Sequence, residues 1–402
     1  MILLEDALNL LLDHIPSCNT LRLPLEKCVG RVLAEDITST MDFPPFNRSP
    51  LDGYAVQIAD IIHSSPEHPT RLTQIEAVPA GSVPCKIVSS GQATRIMTGA
   101  KIPEGADAVV RLEDTSFVNG QIEILTADKA ATNICSQGEE ISINEKVLTK
   151  GTLLEEGALG LLAMLGCHNP LVFDKPKVGI LATGSELLSP SDAMEPGKIR
   201  DSNSYMLLAQ VLKAGGDPIL LGHVKDDLSS IINKLSAQPD LPVYITTGGA
   251  SVGDYDFMER LFHELKIPIL FKGVAIKPGM PVLAGVWNHS LLIALSGNPA
   301  ASSVSFEVLA SPVIRKISGL SQWKYKKSTV KLCGVFKKSS PTRRFIWAHW
   351  FIKEGTVFAE PLSYQGNGML KSALKSNALL EIPAHNLPIE DGAELEAILL
   401  HL

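Results

Sequence analysis

The segment 176–315 alternates short apolar runs with amphipathic runs, and this alternation limits the possible folds more than any other feature of the chain. Apolar runs of this length predict buried strands, and the runs between them predict helices that cover both faces of a parallel sheet. The sequence therefore predicts an α/β domain with a doubly wound sheet. The predicted strands are 178–182, 219–222 and 243–246, and the predicted helices are 204–214, 229–237 and 256–265.

The regions on either side of this segment have a different pattern. Helices are predicted over 4–12 and 155–166, whereas 41–137 consists of short β-rich runs separated by Gly, Pro and Ser. We therefore predict a β-rich domain inserted between two flanking pieces, followed after residue 320 by a small C-terminal β domain. The strand-like runs of that C-terminal domain are 329–335, 345–352, 357–362 and 379–383.

Composition excludes several classes of protein. The formal net charge of −7 provides no basic field for a polyanion, so no nucleic-acid binding is predicted. The longest apolar run, 157–167, is shorter than the roughly 18 residues that cross a bilayer, so no membrane span is predicted. The six cysteines are scattered without a C-x-x-C pair, and the first residues lack the basic character of a signal peptide. We therefore expect reduced thiols in a cytoplasmic protein.

The loop after the strand 243–246 is the richest in the chain, with the sequence TGGASVGDYD over 247–256. Its glycines let backbone N–H groups approach an oxyanion, and the following helix adds the positive end of its dipole. The sequence therefore predicts a phosphate cradle at this loop. Together with the loops that begin at 183 and 296, it supplies the residues predicted to bind substrate, which are Thr183, Gly184, Ser185, Thr247, Gly248, Gly249, Ser251, Gly297, Asn298 and Pro299.

Three carboxylates, Glu186, Asp226 and Asp256, follow successive predicted strands. Because parallel strands end at the same edge of a sheet, we expect these acids to converge on one rim. Hard oxygen ligands beside a phosphate are how Mg²⁺ is usually held, and Lys277 would supply a positive charge opposite them. An isolated Asp is more often a solvated surface group or a helix cap, but three acids after successive strands weaken that alternative.

The run GASVG at 249–253 is also a match to the G-x-S-x-G nucleophile elbow of serine hydrolases. In that elbow a helix follows the serine directly, whereas residues 253–256 intervene here, and no later histidine lies in an obviously catalytic loop. A serine hydrolase that uses Ser251 is therefore an unfavoured alternative.

Read in order, the loops of this chain resemble those of the molybdopterin molybdenumtransferase family, whose eukaryotic relative forms the C-terminal part of gephyrin. The resemblance runs through essentially the whole chain, and its short markers are highly specific in this order and spacing. The markers are PFNRSPLDGYAV at 45–56, RIMTGA at 95–100, GEEI at 138–141, TGSEL at 183–187, the loop 247–256, AIKPG at 275–279 and GNP at 297–299.

The resemblance implies a multi-domain α/β plus β fold with four parts. They are an elongated two-segment domain (1–40 and 141–172), an inserted β-rich domain (41–140), a three-layer molybdopterin-binding α/β domain (173–320) and a C-terminal β-barrel-like domain (321–402). The resemblance also implies a homodimer, in which the α/β domain of one subunit meets the inserted domain of the other. Asp52, Thr98 and Glu140 would then act in trans.

The resemblance implies an enzyme that inserts molybdenum from molybdate into adenylylated molybdopterin and releases AMP, with a divalent metal such as Mg²⁺. Glu186, Asp226 or Asp256 would hold the metal, and the residues assigned to catalysis are Asp52, Thr98, Glu140 and Lys277. The implied partners are the upstream adenylyltransferase and recipient molybdoenzymes. A catalytically weakened pterin-binding or scaffold protein of the same fold is the second hypothesis, although converging carboxylates that repel one another have no use in a scaffold.

Several positions depart from the family pattern. Cys135-Ser136-Gln137 stands where arginines are common, which removes positive charge from the implied cleft, and Glu140 stands where the family has aspartate. Met280 replaces a lysine and Ser296 a proline. We expect a weaker affinity for molybdate unless other basic residues compensate. The candidates for compensation are Lys272, Arg343 and Arg344.

Overall fold

The computed structural model describes residues 1–126, 133–238, 240–248, 255–363, 365–366 and 368–400, without the side chains of Tyr255 and Asp256. The chain forms two compact units. The first unit comprises Met1–Glu35, Lys150–Leu159 and His168–Leu402, and the second comprises Asp36–Thr149 and Gly160–Cys167. In the described ranges no helix is both long enough and apolar enough to cross a membrane. The four-part division implied by the family resemblance stays a prediction.

Helices and helical turns are distributed over both units, and those predicted from the sequence are present within a residue or two of their predicted ends. The α-helices are Leu4–Leu12, Ile58–Ile61, Glu156–Met164, Asn203–Lys213, Leu228–Ser236, Tyr255–Glu264, Pro299–Ser305, Ser311–Ile317 and Lys371–Lys375, with a π-helical turn at Phe306–Ala310 and 3₁₀ turns at Leu25–Lys27 and Leu112–Asp114.

A six-stranded sheet forms the centre of the first unit. In spatial order its strands are Asp217–Val224, Lys177–Thr183, Val243–Thr247, Ser290–Leu295, Leu283–Trp287 and Ile269–Lys272. Neighbours among the first four strands are parallel, whereas the last two strands pair antiparallel. The predicted strands 178–182, 219–222 and 243–246 are thus neighbours in a parallel arrangement, as predicted. Leu283–Trp287 runs against the others because a two-residue hairpin turn, in which Asn288 and His289 have φ of 47° and 69°, connects it to Ser290–Leu295. Ile269–Lys272 pairs antiparallel with Leu283–Trp287 and therefore runs in the direction of the first four strands.

Alternate side chains of each central strand enter two separate cores. Val243 and Ile245 belong to one core, and Tyr244 between them belongs to the other. The helix Asn203–Lys213 packs in the first core, and the helices Leu228–Ser236 and Tyr255–Glu264 pack in the second. The predicted arrangement of helix, sheet and helix layers is confirmed, because helices pack against both faces of the sheet. Burial on both faces explains why the central strands have long apolar runs.

The end of the chain folds into a closed β-barrel, because the first strand of the barrel also pairs with the last one. In order around the barrel the strands are Arg343–Lys353, Thr356–Pro361, Lys327–Leu332, Glu394–Leu399 and Ala378–Ile382, which returns to Arg343–Lys353. The short strand Ile276–Lys277 adds to the outside of Arg343–Lys353. The predicted C-terminal barrel is confirmed, although the sequence prediction omits Glu394–Leu399, whose Leu395 and Ala397 alternate with glutamates.

The second unit contains the predicted β-rich region. Its six-stranded sheet has the order Ala108–Arg111, Gly53–Val56, Gln92–Ile96, Thr70–Val78, Gln121–Ile124 and Thr115–Val118. Each unit also holds a two-stranded antiparallel pair, formed by Thr20–Arg22 with Leu171–Phe173 in the first and by Ile37–Thr38 with Lys146–Leu148 in the second. A further short parallel pair joins Leu187–Leu188 to Ile199–Arg200.

We predict that Leu292→Ala lowers the free energy of unfolding by about 2–5 kcal/mol, because it leaves a cavity in the second core of the α/β sheet. Leu292 is fully buried, whereas Leu374 is 87% exposed on a short helix. Leu374→Ala is therefore the matched control and should change stability by less than about 0.5 kcal/mol. Urea denaturation followed by circular dichroism measures both variants, and equal losses would contradict the assigned burial.

Candidate functional site

A cavity of about 330 Å³ lies at the carboxyl ends of the parallel strands of the first unit. Larger cavities of about 480 and 510 Å³ in the same unit are lined by none of the predicted site residues. The smaller cavity is therefore the candidate site. The residues that line it are Ala182, Thr183, Gly184, Glu186, Leu187, Ile199, Arg200, Asp201, Ser202, Asn203, Asp226, Thr247, Gly248, Ser296, Gly297, Asn298 and Pro299.

Three backbone segments, at Thr183, Gly248 and Gly297, approach one another closely at the bottom of this cavity. Gly248 has φ +103°, and a Cβ atom at this position would lie 1.9 Å from the carbonyl oxygen of Thr183. A Cβ on Gly297 would lie 3.2 Å from Cα of Gly248. Glycine is required at position 248 both by its positive φ and by this contact. The loops that follow three different strands therefore meet as one surface, as the sequence predicts for the substrate-binding residues.

Hydrogen bonds from one side chain connect two of these loops. Asn203 Nδ2 donates to Thr247 Oγ1 at 2.8 Å and to the carbonyl oxygen of Gly297 at 2.8 Å. Thr247 Oγ1 in turn donates to the carbonyl oxygen of Ser296 at 3.1 Å. Asn203 is not among the residues predicted from the sequence to belong to the site. The one sequence feature that pointed to it was its position two residues after Asp201, at the start of a helix that follows a polar loop.

Two of the three acids predicted to hold a metal, Glu186 and Asp226, line the cavity. The Glu186 carboxylate lies over Gly184, where a Cβ would be 2.7 Å from Oε2, and the backbone N–H of Ser185 donates to Asp226 Oδ2 at 3.4 Å. The side chain of Asp256 lies outside the described residues. Asp201 also lines the cavity, but its Oδ1 accepts a hydrogen bond from the backbone N–H of Ser204 at 3.0 Å and so caps a helix.

The donor set of Glu186 and Asp226 fits Mg²⁺. Hard carboxylate oxygens are its preferred protein ligands, and one or two of them usually suffice because water and substrate phosphates complete the coordination. Within the described ranges there is no group of three or more His, Cys, Asp or Glu side chains arranged to hold a metal without such help. The arrangement therefore suits an ion that arrives with a phosphorylated substrate.

Lys277 is not among the residues that line the cavity. It is exposed at the end of the strand Ile276–Lys277, which pairs with the barrel strand at Arg343. The following Gly279 packs against Ala301 and Ser305, further along the helix that begins at the cavity. The structure thus does not bring Lys277 to the cavity wall with the two acids, and its catalytic role stays a prediction.

Asp52 and Thr98, in the second unit, contact each other directly. Asp52 Oδ1 accepts hydrogen bonds from the backbone N–H of Thr98 at 2.7 Å and from Thr98 Oγ1 at 2.8 Å. These two bonds, the backbone one foremost, hold the pKa of Asp52 below its usual value, with a smaller contribution from the charge of Arg95. Asp52 is therefore an ionised carboxylate of fixed orientation at neutral pH. Because the Thr98 hydroxyl donates to Asp52, it orients this carboxylate. The catalytic roles of Asp52 and Thr98 stay predictions.

The segment that carries Glu140 is held by backbone hydrogen bonds. The Glu140 backbone N–H donates to the carbonyl oxygen of Phe43 at 3.0 Å, and the side chain of Glu140 is exposed. Cys135 exchanges two backbone hydrogen bonds with Arg48, at 2.9 and 3.0 Å. Desolvation and the neighbouring Glu139 raise the pKa of the Cys135 thiol, so this position is neutral where the family commonly has arginine.

The basic residues that we considered as compensation for the lost arginines are engaged elsewhere in the first unit. Lys272 forms an ion pair with Glu259, and Arg343 forms ion pairs with Glu5 and Glu381. The Arg344 guanidinium lies 5.9 Å from the centroid of the Phe336 ring. Gly249 and Ser251, which are also predicted to bind substrate, lie outside the described residues.

Three family models match the chain and together span most of it. They are the MoeA N-terminal region (domain I and II) over residues 2–166, the probable molybdopterin binding domain over residues 179–316, and the MoeA C-terminal region (domain IV) over residues 329–400.

Relatives match over nearly their full lengths. The molybdopterin molybdenumtransferase of Bacillus subtilis is 38% identical over 94% of this chain and 89% of its own, and that of Staphylococcus aureus (strain MSSA476) is 33% identical over 98% and 94%. The crystal structure of the molybdopterin biosynthesis moeA protein from Pyrococcus horikoshii OT3 is 34% identical, with a TM-score of 0.85 over 99% of this chain and 100% of that one. With matches of this extent in sequence and structure, this chain belongs to the molybdopterin molybdenumtransferase family.

Proposed function

We propose that this protein transfers molybdenum from molybdate to adenylylated molybdopterin and releases AMP. The observation that carries the proposal is the cavity at the carboxyl ends of the parallel strands, where close-packed glycine loops meet two carboxylates. Curated relatives that are 33 and 38% identical are named molybdopterin molybdenumtransferases, and this supports the same transfer here.

The cavity has the features needed to bind the pyrophosphate group of such a substrate. The helices that begin at Asn203 and Pro299 both start among the lining residues, so their positive ends face the cavity. The close contact between Gly248 and Thr183 brings backbone rather than side chains to the floor. Backbone groups and helix ends can then hold phosphoryl oxygens, with Arg200 as the basic side chain among the described lining residues.

Glu186 and Asp226 are the described residues that would hold a divalent cation such as Mg²⁺. When bound, such an ion supplies neutralisation of the charge on phosphoryl oxygens. Two carboxylates beside a polyanionic substrate would otherwise repel it, so their presence on the cavity wall supports a cation as part of the binding site.

We propose that the protein acts as a cytoplasmic homodimer and that Asp52, Thr98 and Glu140 of each subunit act on the cavity of its partner. Asp52 is ionised and oriented by Thr98, as expected for a group that positions water or a cation at a reaction centre. The six cysteines are present as thiols, which is the usual state in a reducing compartment. The upstream adenylyltransferase and the recipient molybdoenzymes would be its functional partners.

Two alternatives remain to be compared with this proposal. Membership of the family gives no support to a serine hydrolase based on Ser251. A scaffold protein of the same fold would bind the pterin but release no AMP, and the retention of Glu186 and Asp226 on the cavity wall favours an active enzyme. Release of AMP from adenylylated molybdopterin in the presence of molybdate and Mg²⁺ distinguishes the scaffold from the enzyme.

We predict that Asp226→Asn lowers the rate of AMP release by about 100-fold or more, because the cavity loses a charged ligand for the cation. Chromatography of AMP after incubation with adenylylated molybdopterin, molybdate and Mg²⁺ measures the rate.

Asp227→Asn is the matched control for this change. Asp227 is the next residue, but its Oδ2 accepts from the backbone N–H of Ser230 at 2.9 Å and caps the helix Leu228–Ser236. Asn caps helices as well as Asp does, so the control should keep the wild-type rate within about twofold. Equal losses in both variants, or a wild type that binds the pterin and releases no AMP, would contradict the proposal.

We predict that two inactive variants, Asp52→Ala and Glu186→Ala, complement each other when they are co-expressed. If the sites act in trans, each heterodimer has one complete site and one site that lacks both groups. Random association gives half heterodimers, so the mixture should recover about a quarter of the wild-type activity. Each variant alone, carried through the same preparation, is the control. Failure of purified heterodimers to recover activity would contradict action in trans.

We predict that Cys135→Arg lowers the molybdate concentration needed for half-maximal activity by about threefold or more, because it adds a positive charge that attracts the dianion. Cys135→Ser keeps the position neutral and should leave the molybdate requirement unchanged. Steady-state rates over a molybdate titration measure both variants. An unchanged molybdate requirement in Cys135→Arg would contradict the hypothesis that this segment attracts molybdate.

A further inference from the structure

Asn203 is the first residue of the helix Asn203–Lys213, yet its side chain does not cap that helix. The capping bond comes from Asp201, whose Oδ1 accepts from the backbone N–H of Ser204. Asn203 is only 8% exposed and instead spans the ends of two neighbouring parallel strands, Val243–Thr247 and Ser290–Leu295. Asn203, a polar residue typical of a helix start, thus connects two loops instead of capping its helix.

The hydrogen-bond network fixes the orientation of this amide. The Gly297 carbonyl oxygen can only accept, so the Nδ2 side of the amide must face it. Thr247 Oγ1 gives its proton to the Ser296 carbonyl oxygen and therefore accepts from the same Nδ2. Both N–H groups of Asn203 are thus used on two different loops, one contact on each.

The amide oxygen of Asn203, unlike its nitrogen, does not contribute a stabilising hydrogen bond within the described residues. Asn203 Oδ1 is buried, and it meets no hydrogen-bond donor in the described part of the chain. Thr183 also lines the cavity, and its buried Oγ1 likewise has no hydrogen-bond partner among the described residues. Buried polar atoms without partners cost stability, and the presence of two of them on residues of this wall fits a geometry that serves binding.

We propose that Asn203 is a positioning residue, which ties the loop at Thr247 to the loop at Ser296–Gly297 so that the substrate meets a preformed cavity wall. The close approach of Gly297 to Gly248 leaves little room for relative movement of the two loops as long as Asn203 holds them. The part of this inference that concerns the substrate rests on the proposed function, whereas the coupling of the loops does not. A preformed wall lowers the entropy lost on binding and therefore favours a low KM.

The test compares Asn203→Ala and Asn203→Asp with wild type. Asp has the shape of Asn but no N–H donor, and it places an oxygen against the Gly297 carbonyl. Asn377→Ala is the matched control, because the Asn377 side chain also makes two hydrogen bonds. Its Oδ1 accepts from the backbone N–H of Trp350 at 2.6 Å, and its Nδ2 donates to the carbonyl oxygen of Trp350 at 3.0 Å. Asn377 lies at the barrel and does not line the cavity. Asn377→Ala therefore measures how a comparable loss of hydrogen bonds outside the cavity affects exchange and KM.

The first measurement is hydrogen exchange of peptides that span 296–300, without substrate. We expect exchange about tenfold faster in both Asn203 variants and unchanged in Asn377→Ala. The second is steady-state release of AMP, where both Asn203 variants should raise the KM for adenylylated molybdopterin about tenfold and change kcat less than about threefold.

Wild-type exchange and KM in Asn203→Asp would overturn the proposal, since shape and not donation would then matter. An equal rise of KM in Asn377→Ala would also overturn it, because general destabilisation would explain the effect. If wild type releases no AMP while the Asn203 variants still exchange faster at 296–300, the proposed function fails and the coupling of the loops stands. If the loops exchange normally but the enzyme is active, the proposed function stands and this inference fails.

Discussion

The parallel pairing of four strands is the constraint on which the candidate site depends. Because Asp217–Val224, Lys177–Thr183, Val243–Thr247 and Ser290–Leu295 run in one direction, the loops that follow them all leave the same edge of the sheet. Residues separated by more than a hundred positions, such as Thr183 and Gly297, are brought to one cavity by this pairing alone. The two edge strands, Leu283–Trp287 and Ile269–Lys272, extend the sheet, and the described loops that follow them are not among the cavity-lining residues.

Much of the fold could be predicted because its signal is local. Strands that are buried on both faces have apolar residues at successive positions, as at 243–245, and the amphipathic runs between them have a helical period. The direction of Leu283–Trp287 was harder to predict, since it depends on the two-residue turn at Asn288 and His289 rather than on hydrophobicity. Asp226 could be predicted for the cavity from its place after a strand. Asn203 was missed, because a polar residue at a helix start usually caps that helix, whereas the bonds that place Asn203 in the site reach residues 44 and 94 positions away.

Neither the order of the acids in the sequence nor a lowered pKa is enough to separate their roles. Asp226 and Asp227 are neighbours in the chain, yet one lines the cavity and the other caps a helix, where hydrogen bonds from Ser230 and Ser229 lower its pKa. Asp52 also has a lowered pKa, but its bonds come from Thr98, in a turn that belongs to one of the family's markers. A lowered pKa therefore identifies a carboxylate that is held in place, and only its location indicates whether it serves structure or chemistry.

Under the proposed function, the charge of the substrate would be balanced mainly by backbone groups and a divalent cation. Among the described lining residues Arg200 is the basic one, Lys277 is not among them, and Lys272 and Arg343 are held in ion pairs. Helix ends carry only a fraction of a unit charge, so two of them together with Arg200 would not balance Glu186, Asp226 and a pyrophosphate. The remaining positive charge would then come from an ion that binds with the substrate. Such a site would favour the phosphorylated, metal-bound form of its ligand over the free anion, because the acids would repel the anion when it arrives alone.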